Sequence, residues 1–496
     1  MRAPLSVLRL ITALLAIGAL GGCLLGPDYR RPEVATPATY RFDTTGSAEV
    51  VNTAWWEQFQ DPVLNDLIAN ALADNWDVKI AAARVDQFLG QFVTTRSGLF
   101  PQVNAGFDAS RQRLSQDGPT RLPAGVGPEI NDFQASLSAA WEIDLFGKLR
   151  RETESARASL LASEEGRRAT ILSLVASVAS SYINLRDLDQ QLAIAKATTA
   201  SRADSVKVFQ ARFSGGDVSQ MELAQSQSEY EASLATIPQI ELQIGQQEDA
   251  LSVLLGRNPG PILRGRELTE LTVPDVPTSL PSDLLERRPD LLQAEQNLVA
   301  ANALIGAARA LYFPSISLTG LLGTESIQFS RLFSGPARAW SFAGSVTVPI
   351  FTAGSISGQV KQAEAQQQQA LLQYQQSIQV AFQEVADSLI ALQKTREQLV
   401  VQGRQVEALR TYSRLARLRY EGGYTSYIEV LDAERSLFDA QLSYTQTNGA
   451  VFNSLIGLYK AMGGGWVVEA EGMTVPVAQR GDKAARTPAT GTDQPQ

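Results

Sequence analysis

Between Phe133 and Leu145 the apolar residues fall on every second position. Phe133, Ala135, Leu137, Ala139, Trp141, Ile143 and Leu145 alternate with Gln134, Ser136, Ser138, Glu142 and Asp144. A period of two belongs to a strand with one oily and one wet face. Residues 102–110 repeat it, with Val103, Ala105, Phe107 and Ala109 set against Gln102, Asn104, Asp108 and Ser110. Later in the chain Ile316 and Leu318 alternate with Ser315, Ser317 and Thr319, and Phe342, Val346, Val348 and Ile350 flank Ser345 and Thr347. Each pair of stretches brackets a polar loop rich in Gly and Pro, 114–131 and 325–339, so the pattern predicts two hairpins.

Between the hairpins the period changes to three and four. No proline interrupts Gly147 to Phe213, where Val175, Val178, Tyr182, Leu185, Leu188 and Leu192 recur. A second run carries Tyr374, Ile378, Phe382, Val385, Leu389, Leu392 and Leu399, then Leu409, Ala416 and Tyr420. Near-heptad spacing predicts long packed helices, and about 65 residues at 1.5 Å each give a rod of roughly 100 Å. The Gln-rich stretch 362–379 is then the polar face of a rod. Each rod ends at a glycine pair, Gly215-Gly216 or Gly422-Gly423, read as a helix C-cap and turn before a returning helix.

The chain writes this unit twice. "TTRSGLFPQV" at 94–103 is echoed by "GAARALYFPSI" at 306–316, "DLFGKLR" at 144–150 by "PIFTAGS" at 349–355, and "ARFSGGDVS" at 211–219 by "LRYEGGYTS" at 418–426. The matches keep their order at offsets of about 205 to 213 residues, the mark of a duplicated structural unit. The first repeat spans 61–256, with helices near 62–98, 147–213 and 218–256 and strands near 100–113 and 132–146. The second spans 282–462, with helices near 282–311, 355–421 and 425–461 and strands near 313–324 and 340–351. A linker, 257–281, joins them, and the tail 463–496 is expected to be partly disordered.

Composition narrows what this duplicated unit does. The 496 residues include no histidine and one cysteine, with a net charge of −9, 44% hydrophobic and 19% charged residues. The commonest general base and metal ligand is thus missing, no internal disulfide is available, and the charge is not that of a nucleic-acid binder. Arg2 and Arg9 precede the apolar run 10–20, which is too short to span a bilayer and has the layout of a signal peptide, 1–22. Leu20-Gly21-Gly22-Cys23 resembles a bacterial lipobox, so the lone thiol of Cys23 is expected to carry a lipid and begin the mature segment 23–60. Leu24, where lipoproteins retained at the inner membrane have Asp, points to the outer membrane. No later stretch supplies the ~20 apolar residues of a membrane helix, so a crossing must use strands. Four strands cannot close a barrel, since single-chain barrels start at about eight. Either the sheet is soluble or several chains pool their strands.

"GPDYRRP" near the N-terminus, "WWEQFQDPVLNDLI" at 55–68, "AWEIDLFGKLR" at 140–150, "LPSDLLERRPDLLQAE" at 280–295, "IGAARALYFPSISL" at 305–318, "VAFQEVADSL" at 380–389, "VLDAERSLFDAQ" at 430–441 and "YKAMGGGW" at 459–466 follow one another over nearly the whole mature chain. In this order they resemble the outer-membrane factors of tripartite efflux pumps, the TolC-like family, and most closely its lipoprotein branch serving resistance-nodulation-division pumps. The resemblance implies a mainly α fold with a transmembrane β part: a homotrimer with a 12-stranded β-barrel continuous with a periplasmic α-helical barrel, and an equatorial region holding 23–60 and the linker. It implies a passive exit duct for drugs or other small molecules, partnered by a periplasmic adaptor and an inner-membrane transporter. No cofactor is implied beyond the lipid on Cys23.

The resemblance also implies a gate at the periplasmic tip. Glu429 and Asp432, three apart on the returning helix, would form stacked carboxylate rings beside Ile428 as an apolar plug. Tyr420, Glu222 and Arg435 would form the latch, and Gly215, Gly216, Gly422 and Gly423 the hairpin tips that meet the adaptor. An arginine of the family is replaced by Thr425. Three other readings stand beside this one: a duct for protein secretion or metal efflux, a coiled-coil spacer lipoprotein without a pore, and an enzyme using Glu429 and Asp432 as paired acids.

Overall fold

The computed structural model describes residues 24–34, 36–37, 39–42, 54–115, 127–273, 284–463 and 466–474. The signal segment, Cys23, residues 274–283 and the tail from residue 475 lie outside the described residues. The helices are α1 (Pro62–Asp74), α2 (Trp76–Ser97), α3 (Lys148–Gly215), α4 (Gln220–Leu254), α5 (Leu284–Arg287), α6 (Pro289–Ala310), α7 (Ser355–Glu421), α8 (Tyr427–Ala461) and α9 (Trp466–Met473). The strands are β1 (Gln102–Arg113), β2 (Glu129–Ile143), β3 (Ser315–Ser326) and β4 (Arg338–Thr347).

Two expectations need correction. The helix expected over 62–98 breaks at Asn75, whose ψ of 136° leaves the helical region. Its side chain accepts from the amides of Asp77 (2.8 Å) and Val78 (3.1 Å), capping α2, while its Nδ2 donates to the Leu254 carbonyl at 2.9 Å. The helix expected over 282–311 breaks at Arg288 because the next residue is Pro289, which disfavours helical geometry before it and suits a first helical position. The tail begins with a short helix. Its α9 buries Val467 and Ala470, and Glu471 meets Arg167 and, at 3.2 Å, Arg168.

The chain divides into two units. One holds the described residues up to Glu33, with Val85–Ala162 and Ala294–Tyr374. Its sheet has the order β1-β2-β3-β4, antiparallel throughout. The register puts Ala105, Leu137, Leu322 and Trp340 in one row across all four strands. That apolar face is uncovered: Trp340 is 70% and Phe342 80% exposed. The opposite face carries Asp108, Gln134 and Glu325 in one cross-strand row. The outer edges of β1 and β4 have no strand partner among the described residues.

The repeat is visible at the joints. Leaving α2, the amides of Gly98, Leu99 and Phe100 donate to carbonyls three residues back, and those of Leu311, Tyr312 and Phe313 do the same after α6. Pro101 and Pro314, which cannot donate, then precede the strands. The turns from β2 into α3 and from β4 into α7 use Gly147 (φ +82°) and Gly354 (φ +87°). In the same unit Arg151, 2% exposed, holds the segment after residue 23 by donating to the Leu25 carbonyl (3.0 Å) and to Asp28 (2.8 Å). A Cβ on Gly306 would lie 2.4 Å from the Leu25 oxygen, so only glycine admits that backbone.

The other unit holds Val34–Arg84, Ser163–Gln293 and Gln375–Gln496. Trp55 stacks on Tyr459 at 5.1 Å and meets Phe59 edge-on, and Phe59 meets Phe452. Buried Asp61 caps α1 through the Val63 amide (2.9 Å) and accepts from the Tyr182 hydroxyl at 2.7 Å and the Arg266 amide at 3.2 Å. Those bonds fasten the start of the linker to α1 and α3.

Candidate functional site: the hairpin tips

The long helices α3 and α7 end in the same turn. Gly216 (φ +81°) and Gly423 (φ +75°) adopt the left-handed conformation that side chains resist. The Asp217 amide reaches back to the Arg212 carbonyl (2.9 Å) and the Tyr424 amide to that of Arg419 (2.8 Å), the six-to-one bond of a Schellman motif. No atom lies within 4 Å of a Cβ placed on Gly216 or Gly423, so dihedral strain rather than crowding selects glycine. Gly215 is the last residue of α3, and a Cβ on Gly422 would lie 2.9 Å from the Tyr424 ring.

After each turn a serine starts the returning helix, with glutamate three residues on. In the first hairpin Ser219 accepts from the Glu222 amide, and the Glu222 carboxylate accepts from the Ser219 amide at 2.9 Å, a complete capping box. In the second, Ser426 makes no side-chain cap. There one Glu429 oxygen accepts from Arg419 at 2.7 Å and the other from the Thr425 hydroxyl.

Behind the turns lies an aromatic node. Tyr427 packs on Phe209 at 4.1 Å and on Tyr420 at 5.2 Å, and Phe209 faces Tyr420 at 6.0 Å. Arg212 sits against the Tyr420 hydroxyl. Burial pushes that hydroxyl's pKa up, the Glu222 charge adds to the rise, and Arg212 opposes it. Burial likewise raises Tyr427, opposed by a hydrogen bond with Ser226.

Two hairpins are thereby joined within one chain. Arg435 on α8 donates to Glu229 on α4 at 2.6 Å. Arg202 on α3, 6% exposed, faces the same carboxylate at 3.4 Å and donates to the Glu229 carbonyl at 2.8 Å. Inside the second hairpin Arg417 pairs with Glu434 and Arg419 with Glu429.

Of the residues singled out from sequence, Ile428 is 60% exposed and Asp432 is exposed on the same helix. Tyr420 lies near enough to Glu222 to feel its charge, but its hydroxyl contact is Arg212, and Glu222 spends its carboxylate on Ser219. Arg435 finds Glu229. Sequence reasoning missed Arg212, Arg419 and Glu229. The repeat register aligns Arg212 with Arg419 as it aligns Glu222 with Glu429, which was the available signal. Among the described residues no group of three or more His, Cys, Asp or Glu could hold a metal ion.

A family model described as "Outer membrane efflux protein" matches residues 67–257 and 280–464, one segment per repeat. The chain is 37% identical over 455 residues to the probable efflux pump outer membrane protein TtgC of Pseudomonas putida, covering 90% of this chain and 93% of that protein. It is 36% identical to the cation efflux system protein CusC of Escherichia coli, covering 90% and 97%. The open-state crystal structure of the Neisseria gonorrhoeae MtrE outer membrane channel matches with a TM-score of 0.81 and 32% identity, over 90% of this chain and 99% of that one. The mainly helical fold with its β part is that of these channels. The uncovered oily sheet, the duplicated hairpins and these matches agree: the chain belongs to the outer membrane efflux protein family and is an outer-membrane channel of an efflux pump.

Proposed function

We propose that three copies pool their sheets into a 12-stranded barrel and their helices into a periplasmic duct. The observation that carries this is the four-stranded sheet whose β1 and β4 edges lack partners among the described residues and whose face bearing Trp340 and Phe342 is bare. In a bilayer each unpaired backbone group costs several kcal/mol, so the edges must close against further copies. The row Asp108, Gln134 and Glu325 then faces the water-filled lumen and the row Ala105, Leu137, Leu322 and Trp340 faces lipid. Crosslinking in mild detergent should trap three chains and liposomes should conduct. A stable monomer that keeps its full strand content would overturn the reading, and trimers without conductance would favour a spacer lipoprotein.

The duct performs no chemistry; a periplasmic adaptor seated on the hairpin tips and an inner-membrane transporter supply substrate and energy. The relatives' names range from toluene and antibiotic efflux to cation efflux, so cargo choice rests with the transporter and small molecules are the cargo class. Lipidation at Cys23 fits the structure beside it, since the Leu25 amide donates to the Phe146 carbonyl at 3.4 Å and Leu24 packs under Gly147, at the foot of β2. Mass spectrometry should find an acylated Cys23 as mature N-terminus; a free thiol there would refute it.

The tips form the gate. Glu429 and Asp432 line the constriction with Ile428, and the contacts of Arg435 with Glu229 and of Tyr420 with Arg212 are the latch between hairpins. Arg435→Ala combined with Tyr420→Phe should raise single-channel conductance. Unchanged conductance would place the constriction elsewhere.

A further inference from the structure

The two hairpin tips carry the same Ser-x-x-Glu spacing and use it differently, and the difference traces to the residue before the serine. In the first hairpin that residue is Val218, whose side chain has no polar atom and packs against the cluster of Phe209 and Tyr427. In the second it is Thr425, whose hydroxyl donates to Glu429. Glu222 therefore turns back to cap its own helix, while Glu429 is drawn off the cap towards Arg419, leaving Ser426 without a side-chain partner. Both Glu429 oxygens are engaged, and the carboxylate is only 24% exposed. Asp432, one helical turn further, accepts no described hydrogen bond; Arg435 feels its charge but donates to Glu229.

We propose that Arg419 is a specificity-determining residue of the channel: paired to Glu429 with Thr425 as second donor, it cancels that carboxylate and leaves Asp432 as the free acid of the periplasmic constriction. This rests on the trimeric gate reading above. In a trimer the constriction then presents three carboxylates outside an ion pair rather than six, and cation preference is set by Asp432. The pair need not be strong to act this way. An exposed ion pair adds little to stability, yet a cation 2.7 Å from a carboxylate cancels most of its field at a distance while they are together.

The test is the cation-to-anion permeability ratio of the purified trimer in planar bilayers. Arg419→Gln, which keeps length and a donor but removes the charge, should raise the ratio about twofold or more, and Arg419→Lys should restore it. Glu429→Gln should lower the ratio below that of wild type, because it frees the Arg419 cation rather than an acid. Asp432→Asn should collapse the preference. If Asp432→Asn changes nothing, the gate reading fails and the inference goes with it. If Asp432→Asn lowers the ratio while Arg419→Gln leaves it untouched, the gate stands and the role of Arg419 is overturned. Thr425→Val offers an independent arm, since Glu429 should then cap Ser426 and slow amide exchange at the start of α8; unchanged exchange counts against the proposal.

Discussion

Asp187 lies on α3 where that helix meets α8, and its environment has a price that can be measured. A Cβ on Gly449 would stand 3.3 Å from the Asp187 Cβ, so the helices approach closely there. One carboxylate oxygen accepts from Gln191 at 2.9 Å; the other is buried and has no hydrogen-bond partner among the described residues. Burial pushes the Asp187 carboxyl from 3.8 up to about 6, and the Gln191 amide pulls it back only in part. Ionising it in the folded chain is thus harder than in the unfolded one, by about two units at ~1.4 kcal/mol each, a ceiling near 3 kcal/mol. Asp187→Asn removes the charge but sets an amide donor where the orphan oxygen was, at a cost of about 1 kcal/mol. The variant should therefore be more stable at neutral pH by roughly 1–2 kcal/mol. Because the folded value is raised, the native state holds the proton longer, and wild type loses stability as pH climbs from the unfolded value through about 6. Near pH ~4 wild type should be the more stable by somewhat under ~1 kcal/mol, the variant should overtake it as pH rises towards about 6, and the difference should stay constant above. Denaturant midpoints followed by circular dichroism at several pH values read this directly. A gap independent of pH, or a variant less stable at pH ~7, would refute the burial argument.

Three further outcomes follow from described contacts. Glu229→Gln strands the buried Arg202 without its carboxylate and should lower thermal stability more than Arg435→Ala, which removes a half-exposed partner; equal losses would mean the carboxylate is not shared. Gly423→Ala should cost about 1 kcal/mol through its positive φ alone, whereas Gly422→Ala is resisted by the Tyr424 ring, so Tyr424→Ala should relieve the second variant and not the first in thermal melts. Gly306→Ala and Arg151→Ala should each dislodge the segment at Leu25 and expose it to protease; resistance equal to wild type in both would show that other contacts hold it.

Which parts of this were legible in sequence depends on how local the cause is. Alternation at Phe133–Ile143 predicted the faces of β2, because a strand's period fixes its faces without reference to other segments. The glycine turns were legible for the same reason. The break at Asn75 was not, since helical residues flank it on both sides and its side-chain amide is satisfied by Leu254, far along the chain. Glu229 and Arg435 meet across 206 residues, and no spacing rule reaches that far. The contrast between Glu222 and Glu429 lay between these cases: Val218 against Thr425 was readable once the repeats were aligned, but its meaning depends on the Thr425 hydroxyl reaching Glu429 in the folded turn.

The unpaired margins of β1 and β4 have a kinetic consequence. If only further copies of the chain can close those margins, completion of the channel depends steeply on how many finished chains share the envelope at once. A scarce chain would wait with adhesive borders and an oily face open to proteases and chaperones. Supply would then govern channel number more sharply than in proportion, and a variant that slows encounter without touching the pore would still reduce export.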